Sequence, residues 1–80
     1  MENTLANVNI YSYKNDVIVN VGALQDYTEI VITDLNGKII YNNYLMYNTN
    51  KITLDDSLIG YYIVKITSEN KQFAKMIFIN

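Results

Sequence analysis

The stretch that decides the fold is Leu58-Ile59-Gly60-Tyr61-Tyr62-Ile63-Val64-Lys65-Ile66. Gly60 permits a bend in the backbone that other residues disfavour. The alternation of Tyr62, Val64 and Ile66 then puts one aromatic and two β-branched side chains on one face of a strand, with Tyr61 on the other face. The pattern therefore predicts a central β-strand that follows a corner.

Tyr62 has two interpretations at this position. In β-sandwiches, a tyrosine near the start of such a strand often buries its ring and returns its hydroxyl to a nearby backbone group, an arrangement called the tyrosine corner. Alternatively, Tyr62 is a large core residue whose hydroxyl makes no specific hydrogen bond.

Outward from this strand, alternating apolar residues and turn signals predict six more short strands. The resulting seven strands recur every 8–12 residues or so, which is typical of an all-β antiparallel sandwich, with a β-barrel as the alternative. The 80 residues are enough for one domain. We assign it to residues 8–80 and interpret the polar residues 1–7 as a disordered end or linker remnant. The six strands are predicted at Val8–Tyr13, Val17–Val21, Thr28–Asp34, Lys38–Tyr44, Lys51–Leu54 and Gln72–Ile79.

Two connections carry specific predictions. Asn36-Gly37 separates two alternating apolar runs and predicts a tight hairpin in which both residues take positive φ. Asp55-Asp56-Ser57 is suited to cap a single helical turn that leads into Gly60.

The composition argues against several classes of function. The chain has no cysteine and no histidine, so it lacks thiolate ligands, the commonest general base and the commonest neutral metal ligand. All six basic residues are lysines and the net charge is −2, which disfavours nucleic acid as a partner. No apolar run is long enough to span a membrane. We expect a non-enzymatic domain without cofactor or metal.

Three local clusters are candidate binding sites. The segment from Asp34 to Gly37 lacks the spacing of a calcium loop and fits a hairpin better. Asp55 and Asp56 suit either a cation site or a solvated loop, and we favour the loop. The eight tyrosines, including Tyr41, Tyr44 and Tyr47, either cover the edges of a small core or form a binding surface for a protein or a sugar.

Three motifs in order resemble the C-terminal sorting domain of the type IX (Por) secretion system of Bacteroidetes. The segment from Asp34 to Ile40 is similar to its Asp-Leu-x-Gly-Lys-hydrophobic hairpin. The segment from Leu58 to Ile66 is similar to its Gly-x-Tyr-x-Val-Lys strand, and Lys75 to Ile79 resembles its terminal Lys-hydrophobic strand. The residues that match the sorting motifs are Gly60, Tyr62, Val64, Lys65, Lys75, Met76 and Phe78.

The resemblance implies an immunoglobulin-like, seven-stranded sandwich that directs a larger exported passenger to the cell surface or the medium. The implied partners are the outer-membrane translocon and a sortase-like protease that removes the domain. The passenger is then commonly joined to a lipopolysaccharide. We expect recognition through the last two strands, with the strand from Gln72 to Ile79 offering either an edge, to which a partner strand adds, or a lysine-bearing tail.

The chain departs from the family pattern at one place. Many members begin with a Pro-Asn-Pro element, whereas Ile10 to Asn15 occupies that position here and the chain has no proline. This leaves open whether the domain is cleaved. The alternative function is an immunoglobulin-like interaction or carbohydrate-contacting module that uses the surface tyrosines. The passenger and the oligomeric state are not encoded in these patterns.

Overall fold

The computed structural model describes residues 8–22, 27–69 and 71–80. The predicted disordered end at residues 1–7 lies outside the described residues. Within them the chain forms an antiparallel all-β fold, as predicted. The seven strands are β1 (Asn9–Tyr13), β2 (Asp16–Asn20), β3 (Glu29–Thr33), β4 (Ile39–Tyr44), β5 (Thr49–Thr53), β6 (Gly60–Ser68) and β7 (Lys71–Ile79).

The strands form two sheets. One sheet has the order β1-β2-β5 and the other the order β4-β3-β6-β7, and every pairing is antiparallel. Consecutive strands such as β2 and β3 lie in different sheets, so the chain crosses between layers as it does in immunoglobulin-like sandwiches. The barrel alternative is wrong, because the two sheets remain separate.

The core lies between the two sheets and is built by strict alternation. On β6, Tyr62, Val64 and Ile66 point inward, while Tyr61 and Lys65 point to solvent, as predicted. β6 lies between β3 and β7, so it is an interior strand of its sheet. The fully buried side chains are Ile10, Val17, Val19, Ile30, Ile32, Val64, Ile66 and Ile79, and they come from both sheets.

Tyr62 is a core residue rather than a tyrosine corner. Its side chain is only 7% exposed, which places the ring between the sheets. Among the residues that the structure describes, its hydroxyl makes no hydrogen bond. The second interpretation of this residue therefore fits, and its contribution comes from the buried ring.

The two lateral sides of the sandwich differ. On one side the edge strands β1 and β7 lie next to each other: Ser12 Oγ donates to the Phe78 carbonyl oxygen at 2.7 Å, and the Asn80 amide donates to the Lys14 carbonyl oxygen at 3.3 Å. The residue numbers increase together along both strands, from the Ser12–Phe78 contact to the Lys14–Asn80 contact, so β1 and β7 run parallel. On the other side β4 and β5 share no hydrogen bond within the described part of the chain. We call these the closed side and the open side.

The Asn36-Gly37 hairpin forms, but its turn differs from the prediction. The Gly37 amide donates to the Asp34 carbonyl oxygen at 3.1 Å, so the central turn residues are Leu35 and Asn36. Only Gly37 has positive φ, at 91°. Two-residue Asn-Gly turns with both residues at positive φ compete with three-residue turns that end in a left-handed glycine. Here the side chain of Asp34 favours the three-residue turn, because its Oδ1 accepts hydrogen bonds from the amides of Asn36 and Lys38 at 2.9 Å each.

The predicted helical turn at Asp55-Asp56-Ser57 is wrong. The segment is a β-turn closed by the Leu58 amide, which donates to the Asp55 carbonyl oxygen at 3.0 Å. Asp55 does accept from the Ser57 amide, as a capping residue would. Gly60 follows with φ of 139°, a conformation that residues other than glycine rarely adopt, and the chain enters β6 without a helix.

Candidate functional site

Four of the seven sorting-motif residues contribute to the core, the backbone conformation or the contact between the two sheets. Tyr62 and Val64 are buried in the core, and Gly60 sets the backbone at the start of β6. Lys75 is paired with Val64, so it lies on the inner face of the edge strand β7. Its Nζ donates to the Ile10 carbonyl oxygen at 2.7 Å and links the two sheets on the closed side. Gly60, Tyr62 and Val64 thus shape the backbone and the core, whereas Lys75 is solvent-exposed but has its ammonium group bound at the contact between the sheets.

The other three motif residues, Lys65, Met76 and Phe78, share one solvent-exposed surface. They lie on the face of the β4-β3-β6-β7 sheet that points away from the other sheet, which we call the outer face. Lys65 is paired with Ala74 of β7 and Val31 of β3. Sequence reasoning grouped these three residues by motif, and the strand register now shows that they are neighbours in space.

Exposed apolar side chains form a strip on this outer face. Phe78 is paired with Tyr61, and their rings meet edge to face with centroids 5.0 Å apart. Met76 is paired with Ile63, and the row continues through β3 to Ile39 on β4. The apolar strip therefore consists of Ile39, Tyr61, Ile63, Met76 and Phe78. Four of them are between 45% and 58% exposed, which is unusual for a cluster of large apolar residues on one surface.

Sequence reasoning missed Ile39 and Ile63 as members of this surface. Period-2 alternation places both on the outer face of their strands, but it does not say which strands are neighbours. The row from Met76 to Ile39 depends on β3 lying between β4 and β6, which is a tertiary arrangement. The hairpin residue Gly37 lies beside Ile39 at the rim of the same face.

The polar half of the outer face contains a shallow depression of about 700 Å³. Lys65 lines it together with Glu29, Glu69 and Lys71, so the depression is bordered by charges of both signs. This half is continuous with the apolar strip through Ile63. The outer face thus offers an apolar end and a mixed-charge end to one partner surface.

The free edge of β7 borders the outer face. In a regular antiparallel ladder, the backbone groups of alternate residues point toward and away from the neighbouring strand. The Phe78 carbonyl and the Asn80 amide point away from β6, since both bond to β1. By this alternation Gln72, Ala74 and Met76 also point their backbone groups outward, because the β6–β7 register is regular. Within the described residues these groups have no hydrogen-bond partner.

The described aspartates accept hydrogen bonds from other groups of the domain. Asp55 Oδ1 accepts from the amide and the hydroxyl of Ser57, and these hydrogen bonds lower the pKa of its carboxyl. Asp56 Oδ1 accepts from Asn15 Nδ2 at 2.8 Å. Across residues 8–22, 27–69 and 71–80, no three acidic side chains gather in a way that would hold a metal ion.

The described residues include no helix with the length and apolarity needed to cross a membrane.

Comparison with known protein families gave a match over most of the chain. A family model described as "Secretion system C-terminal sorting domain" matches residues 13–80. The match includes β2 to β7, the apolar strip and the free edge of β7. Comparisons with curated proteins and with solved structures gave no match.

Proposed function

We propose, because this chain belongs to the family of secretion system C-terminal sorting domains, that the outer-membrane translocon recognises it through the outer face and the free edge of β7. Domains of this family are sorting signals of type IX secretion and occur on proteins that are exported to the cell surface or released. The proposal concerns the contact residues and the partner that reads them. We also infer that the domain is non-enzymatic, since it has no cysteine or histidine to act as nucleophile or base.

The single observation that carries the proposal is the division of the motif residues. Lys65, Met76 and Phe78 are exposed together on the outer face, while Gly60, Tyr62 and Val64 serve the backbone or the core and Lys75, also exposed, lies on the opposite face of β7 and binds β1. A surface that exposes Met76 and Phe78 on the edge strand β7 is less favourable in water than the same surface covered by a partner. A partner that covers the apolar strip recovers part of this difference in free energy.

The free edge of β7 supplies the second half of the contact. A strand of the partner that adds beside β7 would bond to the outward groups of Gln72, Ala74 and Met76. β1 occupies the same edge from Phe78 onward, so the added strand would end near Met76. Strand addition provides affinity through the backbone, and the apolar strip provides specificity through side chains.

The first experiment separates recognition from folding. The domain is fused to a reporter passenger in a type IX secretion host, and the fraction of reporter at the cell surface is measured. The variant M76S/F78S should leave the reporter in the periplasm, while the matched control Y11S/Y13S, with exposed aromatic residues on the other sheet, should be displayed normally. Circular dichroism of both isolated domains checks that they fold. Normal display of a folded M76S/F78S domain would refute recognition through the outer face.

The second experiment tests strand addition. Ala74→Pro removes an outward amide that the β6–β7 ladder does not use, and proline is tolerated on such an edge. The variant should therefore fold but sort poorly, and Ala74→Ser, which keeps the amide, should sort normally. Equal display of the two variants would rule out an added strand at this position.

Deleting Lys75 to Asn80 is a less specific test of the same idea. It should also trap the passenger in the periplasm, but it removes Ile77 and Ile79 from the core and so unfolds the sandwich. The substitutions above avoid this problem. Removal of the domain by a sortase-like protease, the second proposed partner, is read in the same assay as a decrease in the mass of the displayed reporter.

A further inference from the structure

Three tyrosines line one surface cavity on the open side of the sandwich. Tyr41 lies on the inner face of β4, opposite Ile32, while Tyr44 ends β4 and Tyr47 belongs to the connection to β5. All three border a depression of about 300 Å³ between β4 and β5. This location is separate from the outer-face strip and from the free edge of β7, so the sorting role does not account for it.

The cavity combines an apolar floor with polar walls. Leu45 and Ile52 both line it and are largely buried, at 7% and 8% exposure, so they form its deep part. The walls carry phenol groups and the side-chain amides of Asn43 and Asn50. Binding sites for small polar molecules typically have this composition, with an apolar body and a few placed hydrogen-bonding groups.

The amides of the cavity are held in place and keep free bonding capacity. Asn50 Nδ2 donates to the Tyr47 carbonyl oxygen at 2.7 Å, which fixes the side chain and leaves its Oδ1 as an acceptor. Asn43 Oδ1 accepts from the Tyr44 amide at 2.8 Å, and its Nδ2 lies 3.4 Å from the Tyr41 hydroxyl oxygen. Among the described residues that line the cavity, Lys51 is the one that carries a charge.

From this arrangement we propose that the cavity binds a pyranose unit of a glycan. A pyranose ring presents C–H groups on its faces and hydroxyl groups at its rim. The faces pack on tyrosine rings, whose polar hydroxyls remain in water. The rim hydroxyls both donate and accept, which matches amides and phenols that do the same. The volume is at the lower end of small-molecule sites and suits one or two rings.

The lining disfavours the other polar ligands. A nucleotide or another phosphate ligand would meet a single lysine and no arginine, the residue that best binds phosphate in a bidentate manner. An apolar peptide would have to desolvate the amides of Asn43 and Asn50 without pairing them, which costs free energy. A sugar satisfies both groups while it covers the apolar floor.

The test uses the full 80-residue domain on an immobilised glycan panel that contains neutral hexoses, N-acetylhexosamines and uronic acids. Binding is followed by titration of a positive glycan with NMR detection of the tyrosine and asparagine signals. We expect binding to at least one glycan class with a dissociation constant of about 0.1–10 mM, a range that corresponds to a small, solvent-open site. Shifts should be concentrated at Tyr41, Tyr44, Tyr47 and Asn50.

The matched variants decide whether the tyrosines carry the binding. Y44A/Y47A should weaken binding about tenfold or more, whereas Y11A/Y13A, which removes two tyrosines from the outer surface of the other sheet, should leave it unchanged. Asn50→Asp replaces the side-chain amide by a carboxylate of nearly the same shape, so it should weaken glycan binding if the amide contributes to it. The inference is overturned if no glycan on the panel binds, or if binding persists in Y44A/Y47A, or if the shifts map to another surface. A preference for uronic acids would indicate that Lys51 contacts the sugar carboxylate, and a preference for neutral sugars would indicate that it makes no such contact.

Discussion

Lys75 Nζ donates a 2.7 Å hydrogen bond to the carbonyl oxygen of Ile10 and so joins the last strand to the first across the two sheets. The lysine is on the inner face of an edge strand, where an apolar residue would be expected from the alternation alone.

Replacement of this lysine should weaken the fold. Lys75→Met keeps the aliphatic stem but removes the donor, and we expect a loss of about 1–2 kcal/mol in the free energy of unfolding, which urea denaturation measures. Lys71→Met is the control, because Lys71 is an exposed lysine near the start of the same strand and should change stability by less than about 0.5 kcal/mol. Equal stability of the two variants would show that the bond to Ile10 contributes nothing.

Lys65 and Lys75 should have opposite phenotypes, although both match the sorting motif. Lys65→Met alters the outer face and should reduce surface display of a reporter with little change in the urea midpoint, since its side chain is exposed. Lys75→Met should lower the midpoint, and its display should recover at a growth temperature at which the variant is folded. A display defect of folded Lys75→Met as large as that of Lys65→Met would contradict this division.

Gly60 should resist substitution because of its backbone rather than its surroundings. A β-carbon at Gly60 would meet no atom within 4 Å, but the φ of 139° disfavours any L-residue. Gly60→Ala should therefore destabilise the domain by about 1–2 kcal/mol. Chemical synthesis with D-alanine at position 60 is the sharp control, since a D-residue prefers this φ, and it should be as stable as the parent. A D-alanine domain that is as unstable as the L-alanine one would mean that space, not φ, is limiting.

Substitution of Tyr62 distinguishes its two interpretations, as a buried core ring or as a tyrosine corner. Tyr62→Phe removes only the hydroxyl and should change the free energy of unfolding by less than about 0.5 kcal/mol, because that hydroxyl has no partner among the described residues. Val64→Ala, in the same inward row, should cost about 2 kcal/mol through lost burial and a cavity. Thermal or urea unfolding compares the two. A loss of more than 1 kcal/mol in Tyr62→Phe would restore the corner interpretation.

The turn before β6 should depend on pH through Asp55. Hydrogen bonds from the amide and hydroxyl of Ser57 lower the pKa of the Asp55 carboxyl, so the ionised form favours the folded turn. The stabilisation is fully present above the unfolded-state pKa and is lost as pH falls through the lower folded-state pKa. An NMR titration of the side-chain carboxyl measures this value directly, and Ser57→Ala should raise it toward that of an ordinary aspartate. An unchanged midpoint in Ser57→Ala would exclude Ser57 as the cause.

The sequence predicted the elements better than their contacts. Period-2 alternation identified seven strands, the inward row of β6 and the position of the hairpin, because each depends on residues close in the chain. The turn type at Asn36-Gly37 was missed because the side chain of Asp34 bonds two amides of the loop. A helical turn was wrongly predicted at Asp55 because a capping side chain serves a β-turn equally well.

The candidate site was predicted only in part. The motif supplied Lys65, Met76 and Phe78, but nothing in it distinguished these residues from Lys75, whose side chain lies on the opposite face of β7. That difference follows from the pairing of Val64 with Lys75 and of Ile63 with Met76. Such register is set by long-range pairing, and single-sequence patterns do not contain it.

The parallel course of β1 and β7 also determines how the domain bears tension. Because neighbouring parallel strands begin at the same end, a pull applied to the start of β1 and the end of β7 slides them past each other. The bonds from Ser12, Lys75 and Asn80 are then loaded together rather than one after another. A sandwich stretched in this direction is loaded in shear and resists unfolding. A pull that separates β7 from β6 starting at its end breaks the hydrogen bonds one at a time, so it unfolds the domain at a lower force.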